Sequence, residues 1–115
     1  MAPPVEKTVT SAADYHAQGR KLIQEEKFEQ AIGPLTEALK LDPYLAVAFN
    51  ARGYCYSRLR KYKEALADFD DAIRLNPAYG NAYTNRSSAR RASGDKAGAD
   101  ADLTKARDLL KAAAK

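Results

Sequence analysis

The sequence predicts an all-α fold in which three antiparallel helix pairs stack into an α-solenoid. The first observation is a repeat, because matching residues recur along the chain at intervals of 34 positions. The second is the spacing of apolar residues within each unit, which is helical on both sides of a short polar break. The third is the pair Pro43 and Pro77, because proline lacks an amide hydrogen and disfavours helix in the residue before it.

The repeat divides the 115 residues into a leader, three units and a short tail. We expect a flexible leader over 1–11 and a tail over 114–115, on either side of repeats over 12–45, 46–79 and 80–113. The first helix of each repeat, the A helix, is predicted over 11–25, 46–59 and 80–92. The second, the B helix, is predicted over 29–41, 63–75 and 96–111.

Small residues at fixed places predict where the two helices of a repeat touch. Gly19 and Gly53 occupy the same place in the middle of an A helix, where glycine costs about 1 kcal/mol relative to alanine. A glycine present twice at such a place indicates close helix packing, which a Cβ would obstruct. The B helices offer matching small side chains at Ala31, Ala65 and Ala99.

Several places carry the same kind of residue from one repeat to the next. Places are counted from the first residue of each repeat, that is from 12, 46 and 80. The fourth place is aromatic, with Tyr15, Phe49 and Tyr83, and the first two repeats also share the glycine at the eighth place and the closing proline. This pattern resembles the tetratricopeptide repeat (TPR) family, with the weakest match in the third repeat, where Ser87 replaces the glycine. The resemblance implies a right-handed solenoid whose A helices line a concave groove for a peptide or a partner's helix. It also implies a non-catalytic adaptor.

The outer faces of the first and last repeats are polar, as the ends of a solenoid must be. On the B helices, Asp100 and Arg107 stand where the earlier repeats have aliphatic residues. On the A helices, Asp14 and Lys21 stand where the later repeats have small apolar residues. We therefore expect an array that is complete at three repeats.

The apolar C-terminal end bears on the oligomeric state. Leu109 and Leu110 continue the last B helix among good helix formers. We expect both leucines to fold back onto the last helix pair as core, which predicts a monomer. A homodimer, or a scaffold that assembles with copies of itself, is the alternative, because a small apolar end can seed an interface.

The A-helix surface opposite the core is the candidate binding site. It mixes amides, hydroxyls, an aromatic ring and arginines, whereas solvated helix faces usually carry more Lys and Glu. Asparagines can bind a peptide backbone, and Arg20 and Arg91 can bind carboxylates through two parallel hydrogen bonds. A solvated face without a ligand is the alternative. The candidate peptide-binding residues are His16, Arg20, Asn50, Tyr54, Arg58, Asn81, Thr84, Asn85, Ser88 and Arg91.

The distribution of charge favours an acidic partner. The A helices with their turns are net positive and the B helices net negative, so that an acidic ligand is drawn towards the groove. The acidic run from Asp68 to Asp71 is interpreted as a solvated face. Nucleic acid is less favoured, because the net charge is only +4 and the outer layer is acidic. A nucleic-acid site would consist of Arg58, Arg60, Lys61, Arg86, Arg90 and Arg91.

One subtype of the TPR family can be compared position by position. TPR domains that hold the C-terminal carboxylate of a heat-shock protein use a two-carboxylate clamp of Lys, Asn, Asn, Lys and Arg. None of the aligned residues matches, so this clamp is not expected. The aligned residues are His16, Arg20, Ala51, Asn81 and Asn85.

No catalytic or metal-binding constellation is present in the sequence. Cys55 and His16, the single cysteine and histidine, are predicted to face the core and the groove, so they form neither a catalytic pair nor a zinc site. We expect no enzyme activity, no metal and no cofactor. No apolar run approaches the roughly 20 residues of a membrane span. The lack of a secretory signal favours the cytoplasm, with a periplasmic or secreted protein whose signal has been removed as the alternative.

Overall fold

The computed structural model describes residues 10–114, which form six α-helices and no strand. The helices are α1 (Ala12–Gln24), α2 (Phe28–Leu41), α3 (Ala46–Arg58), α4 (Tyr62–Leu75), α5 (Gly80–Ala92) and α6 (Lys96–Ala113). They pack as the pairs α1–α2, α3–α4 and α5–α6, and each pair packs on the next. The predicted all-α solenoid of three helix pairs is confirmed. Most of the predicted leader, residues 1–9, and Lys115 of the tail lie outside the described residues.

Side chains and backbone geometry at the turns fix where the helices begin and end. Ser11 and Asp14 cap α1 reciprocally, because each side chain accepts a hydrogen bond of 3.1 Å from the other's backbone N–H. Asp42 and Asn76 end the first two B helices, and each side chain accepts a hydrogen bond from the backbone two residues further on. Inside the pairs the chain turns through left-handed residues, namely Glu26, Arg60 and Gly94.

The helices of a pair pack closely at the A-helix glycines. A Cβ built at Gly19 would lie 2.5 Å from Cδ2 of Leu35, and one at Gly53 would lie 2.7 Å from Cε1 of Phe69. Both distances are too short for a real contact, so the predicted close packing is confirmed. In the third pair the buried Ser87 takes this place, and its hydroxyl donates a 2.8 Å hydrogen bond to a backbone carbonyl of α6.

Neighbouring pairs are joined by apolar contacts at two repeated places. Leu39 near the end of α2 packs with Ala48 near the start of α3. Cys55, further along α3, belongs to a cluster with Ile32 of α2. The third place of an A helix thus meets the twenty-eighth place of the preceding repeat, and the tenth place meets the twenty-first. Burial raises the pKa of the Cys55 thiol to about 11, as expected of a packing residue.

The C-terminal end differs from the prediction. Leu110 is 73% exposed, and only Leu109 is partly buried. The expectation that both leucines fold back onto the last pair is wrong, because α6 runs on without a break to Ala113 and leaves Leu110 exposed. This end therefore presents a leucine to solvent.

Residues 10–114 satisfy their buried polar groups internally. Every buried side-chain nitrogen and oxygen among them has a hydrogen-bond partner. Within this stretch, no group of three or more His, Cys, Asp or Glu side chains could hold a metal ion. None of its helices has the length and apolar character needed to cross a membrane.

Candidate peptide-binding groove

The A helices α1, α3 and α5 lie side by side and enclose a solvent-open groove of about 510 Å³. We call this cavity the A-helix groove. It brings together part of the predicted site, namely His16, Arg20, Asn50, Tyr54, Asn81 and Asn85. The other side chains that line it are Ile23, Gln24, Val47, Ala51 and Tyr79.

The floor of the groove is a chain of polar side chains centred on Asn50. Asn50 is only 7% exposed, and its amide nitrogen donates a 3.2 Å hydrogen bond to the hydroxyl of Tyr79. Its amide oxygen accepts a 3.0 Å hydrogen bond from the amide nitrogen of Asn85. Asn50 therefore holds α3 and the start of α5 together, whereas Asn81 remains exposed at the edge of the groove.

The first-repeat end of the groove is cationic. Arg20 and His16 lie one turn apart on α1 and both line the cavity. Burial lowers the pKa of His16, and the charge of Arg20 lowers it further. The exposed Arg20 forms no ion pair with any residue of 10–114, so its guanidinium is the positive group that the groove offers to a ligand.

Tyr54 is held at the rim by its neighbours. Its ring contacts Phe28 edge-on at a centroid distance of 5.9 Å. The guanidinium of Arg58 lies 4.7 Å from the ring centroid of Phe28 and donates a 3.1 Å hydrogen bond to the Tyr54 hydroxyl. Arg58 therefore supports the rim of the groove without lining it.

Three predicted site residues on α5 lie outside the A-helix groove. The hydroxyls of Thr84 and Ser88 donate to backbone carbonyls one turn earlier in the helix, at 3.3 and 3.4 Å. Arg91 forms a 2.8 Å ion pair with Asp100 of α6. Their hydrogen-bonding capacity is therefore directed to the helix pair itself.

Much of the positive charge of the A helices is neutralised inside the solenoid. The guanidinium of Arg52 makes two hydrogen bonds, of 2.9 and 2.8 Å, to the carboxylate of Asp68. Its remaining nitrogen donates a 3.2 Å hydrogen bond to the hydroxyl of Thr36 in the preceding repeat. Asp68 is 4% exposed, so its interpretation as part of a solvated face is wrong. Burial raises the pKa of this carboxyl, and the bidentate pairing with Arg52 opposes the shift.

The same arrangement recurs one repeat later. Arg86 makes two hydrogen bonds, of 3.0 and 2.8 Å, to Asp102, and a third of 3.0 Å to Asp70 of the preceding repeat. Arg90 donates a further 2.9 Å hydrogen bond to Asp102. The expectation that the positive charge of the A helices faces the groove is therefore wrong for these arginines, because they face the acidic B helices. The same ion pairs occupy residues on which a nucleic-acid site would rest.

The sequence did not predict Gln24, Ala51 or Tyr79 as groove residues, although all three line the groove. Of these, Tyr79 contacts the polar floor, because its hydroxyl accepts a hydrogen bond from Asn50. Tyr79 directly precedes α5 and therefore lies outside the predicted A-helix surface opposite the core. A signal was available, because a tyrosine with a polar hydroxyl stands where the first repeat has Leu45. Ile23 and Val47 also line the groove and are not among the predicted site residues.

The six helices and their groove define a helical-repeat protein of the solenoid class. The tetratricopeptide repeat family matches residues 46–79. The first TPR domain of human RPAP3, solved by NMR, is 32% identical with a TM-score of 0.82, and the match covers 85% of this chain and 77% of that one. The chain therefore belongs to the tetratricopeptide repeat family. No curated protein gives a significant match.

Two further solved structures are similar and contain peptides or partner segments. The second TPR domain of Spaghetti (RPAP3), bound to the HSP90 peptide SRMEEVD, is 29% identical with a TM-score of 0.83. That match covers 86% of this chain and 92% of the other. The TPR2B domain of yeast Sti1 in a complex with pHsp70 is 26% identical with a TM-score of 0.82. This match covers 85% of the present chain and 78% of the Sti1 domain.

Proposed function

We propose that this chain is a non-catalytic interaction module that binds a peptide or partner segment carrying an acidic group in the A-helix groove. The observation that carries this proposal is Arg20, an exposed guanidinium without an ion pair in residues 10–114, at one end of the groove. Val47 and Tyr54 line the same cavity, so a carboxylate on Arg20 would lie beside an apolar side chain on these residues. The similar domains of RPAP3 and Sti1 support the proposal, because the first is bound to the HSP90 peptide SRMEEVD and the second is in a complex with pHsp70.

The chemistry of the groove defines the ligand more closely. Asn81 and Asn85 can donate to and accept from the main chain of an extended segment. Arg20 can form a bidentate, charge-assisted pair with one carboxylate. The ligand is thus a short segment with one acidic group next to an apolar side chain. It differs from a two-carboxylate ligand, because Arg20 is the only Lys or Arg at the five positions aligned with the clamp of heat-shock-binding TPR domains.

A binding assay with labelled peptides tests this proposal. The probes are a library of peptides with one acidic and one apolar residue, together with SRMEEVD, measured by fluorescence polarisation. Arg20→Ala should weaken the best library peptide by about tenfold or more, since a hydrogen bond to a charged group contributes about 1.5–3 kcal/mol. SRMEEVD should bind more weakly than that peptide.

Two arginine variants serve as matched controls. Arg74→Ala removes the same charge from α4, where Arg74 pairs with Asp71 at 3.4 Å. Arg91→Ala removes a predicted site residue that the structure pairs with Asp100. Both should leave peptide affinity within about twofold of wild type, because neither guanidinium lines the groove. An Arg20→Ala protein that binds its peptide as tightly as the Arg74→Ala protein would refute the proposal.

A further inference from the structure

The two junctions inside the chain show how an A helix packs on the B helix of the preceding repeat. At the first junction, Ala48 at the third place of α3 packs with Leu39 at the twenty-eighth place of the repeat before it. At the second junction, Ala89 at the tenth place of α5 packs in a cluster with Leu66 at the twenty-first place. At a junction, the third place of the A helix therefore contacts the twenty-eighth place of the preceding repeat, and the tenth place contacts the twenty-first.

The same four places carry charges at the two ends of the solenoid. On α6, Asp100 stands at the twenty-first place and Arg107 at the twenty-eighth. On α1, Asp14 stands at the third place and Lys21 at the tenth. If α1 of one copy followed α6 of another, Asp14 would meet Arg107, and Lys21 would meet Asp100. The signs are opposite at both places.

A further pair of side chains matches in the same register. At the internal junctions, the arginine at the seventh place donates to the twenty-fifth place of the preceding repeat, where Thr36 or Asp70 accepts. At the ends these places hold Gln18 and Thr104, which are both exposed. A glutamine amide can donate to a threonine hydroxyl, so this contact is also complementary.

The receiving surface is open in residues 10–114. Between the start of α5 and the end of α6 lies a second cavity of about 540 Å³, whose lining includes Gly80, Asn81, Thr84, Arg107 and Leu110. Arg107 and Lys21 form no ion pair with the described residues. Asp14 and Asp100 each use one carboxylate oxygen in the contacts already described, which leaves the other oxygen available.

We propose that a second copy of this chain docks at this end, with its α1 seated on α6 as each A helix is seated on the preceding B helix. The contact continues the solenoid and is heterologous, so it does not close and leads to linear chains of copies. The exposed ion pairs make it weak and dependent on salt. The docking contacts do not use Arg20, although Asn81 lines both the A-helix groove and the cavity at this end.

Light scattering and sedimentation of the intact chain test this contact. At about 10 mM salt, the average mass should rise with concentration between about 10 μM and about 1 mM and pass beyond that of a dimer. At about 0.5 M salt it should return to the monomer mass. A mass that stays monomeric at low salt, or one that levels off at a dimer, would overturn the proposal.

Charge exchange tests the register of the contact. Lys21→Glu and Asp100→Lys should each weaken association by about tenfold or more, because each turns an attraction into a repulsion. The double variant Lys21→Glu with Asp100→Lys should restore it. Lys63→Glu on the exposed side of α4 is the control, with the same change in net charge as Lys21→Glu and no expected effect. Circular dichroism checks that each variant is folded. Single variants that associate like wild type, or a double variant that fails to recover, would contradict the proposed register.

Discussion

The replacement Gly53→Ala tests the packing of the central helix pair. The added Cβ would lie 2.7 Å from Cε1 and 2.9 Å from Cδ1 of Phe69, and 3.1 Å from Cβ of Asp68. Phe69 is fully buried, and Asp68 is held by the two hydrogen bonds from Arg52, so neither can move away easily. Overpacking of a core costs about 1–3 kcal/mol, and the higher helix propensity of alanine returns at most about 1 kcal/mol. We expect a net loss of about 1–2 kcal/mol in the free energy of unfolding.

Urea denaturation followed by circular dichroism measures this loss, and thermal melting should show a fall of about 4–8 °C for each kcal/mol. Gly80→Ala is the control, because nothing lies within 4 Å of a Cβ at this first residue of α5. It should stabilise the protein by up to about 1 kcal/mol through the lower entropy of the unfolded chain. A Gly53→Ala protein as stable as Gly80→Ala would show that the pair is not packed as tightly as the distances indicate.

Two further predictions concern charged groups. Asp102→Ala should lower the free energy of unfolding by about 3–5 kcal/mol, since Asp102 is 3% exposed and its loss leaves Arg86 poorly compensated. Asp70→Ala, which removes an exposed partner of the same arginine, should cost less than about 1 kcal/mol, and equal losses in denaturation would contradict this reasoning. Because the pKa of His16 is lowered in the folded state, the unfolded state binds more protons, and stability should fall as the pH drops through the ordinary histidine value of 6.5. In pH-dependent denaturation this fall should be absent from His16→Gln.

The fold was predictable because its signals are local. The 34-residue interval and the helix-ending prolines are visible in the sequence, and the observed helices begin and end within about two residues of the predicted bounds. Gly53 predicted close packing, because the free-energy cost of a glycine inside a helix needs a structural reason. Such inferences depend only on the order of residues along one or two helices.

The direction of long side chains was less predictable. Arg52 and Asp68 lie on different helices, and nothing in their spacing distinguishes an arginine that faces a B helix from one that faces the groove. Helical geometry placed Arg20 correctly on the concave surface but also placed Arg91 there, which instead pairs with Asp100. The exposure of Leu110 depended on whether α6 bends, and a run of good helix formers does not decide this.

The arginine network also makes the three repeats unequal in cohesion. Arg52 and Arg86 each join the two helices of their own pair and also bond to the B helix of the preceding pair. The first repeat lacks this network, because it has Gln18 in place of the arginine and Pro34 in place of the paired aspartate. In a solenoid, stability is close to a sum of unit and junction terms, so we expect the first pair to open most readily. Arg20 lies on that pair. A ligand that spans α1 and α5 would therefore fasten the end most prone to fraying, and occupancy of the groove and order of the first repeat would rise and fall together.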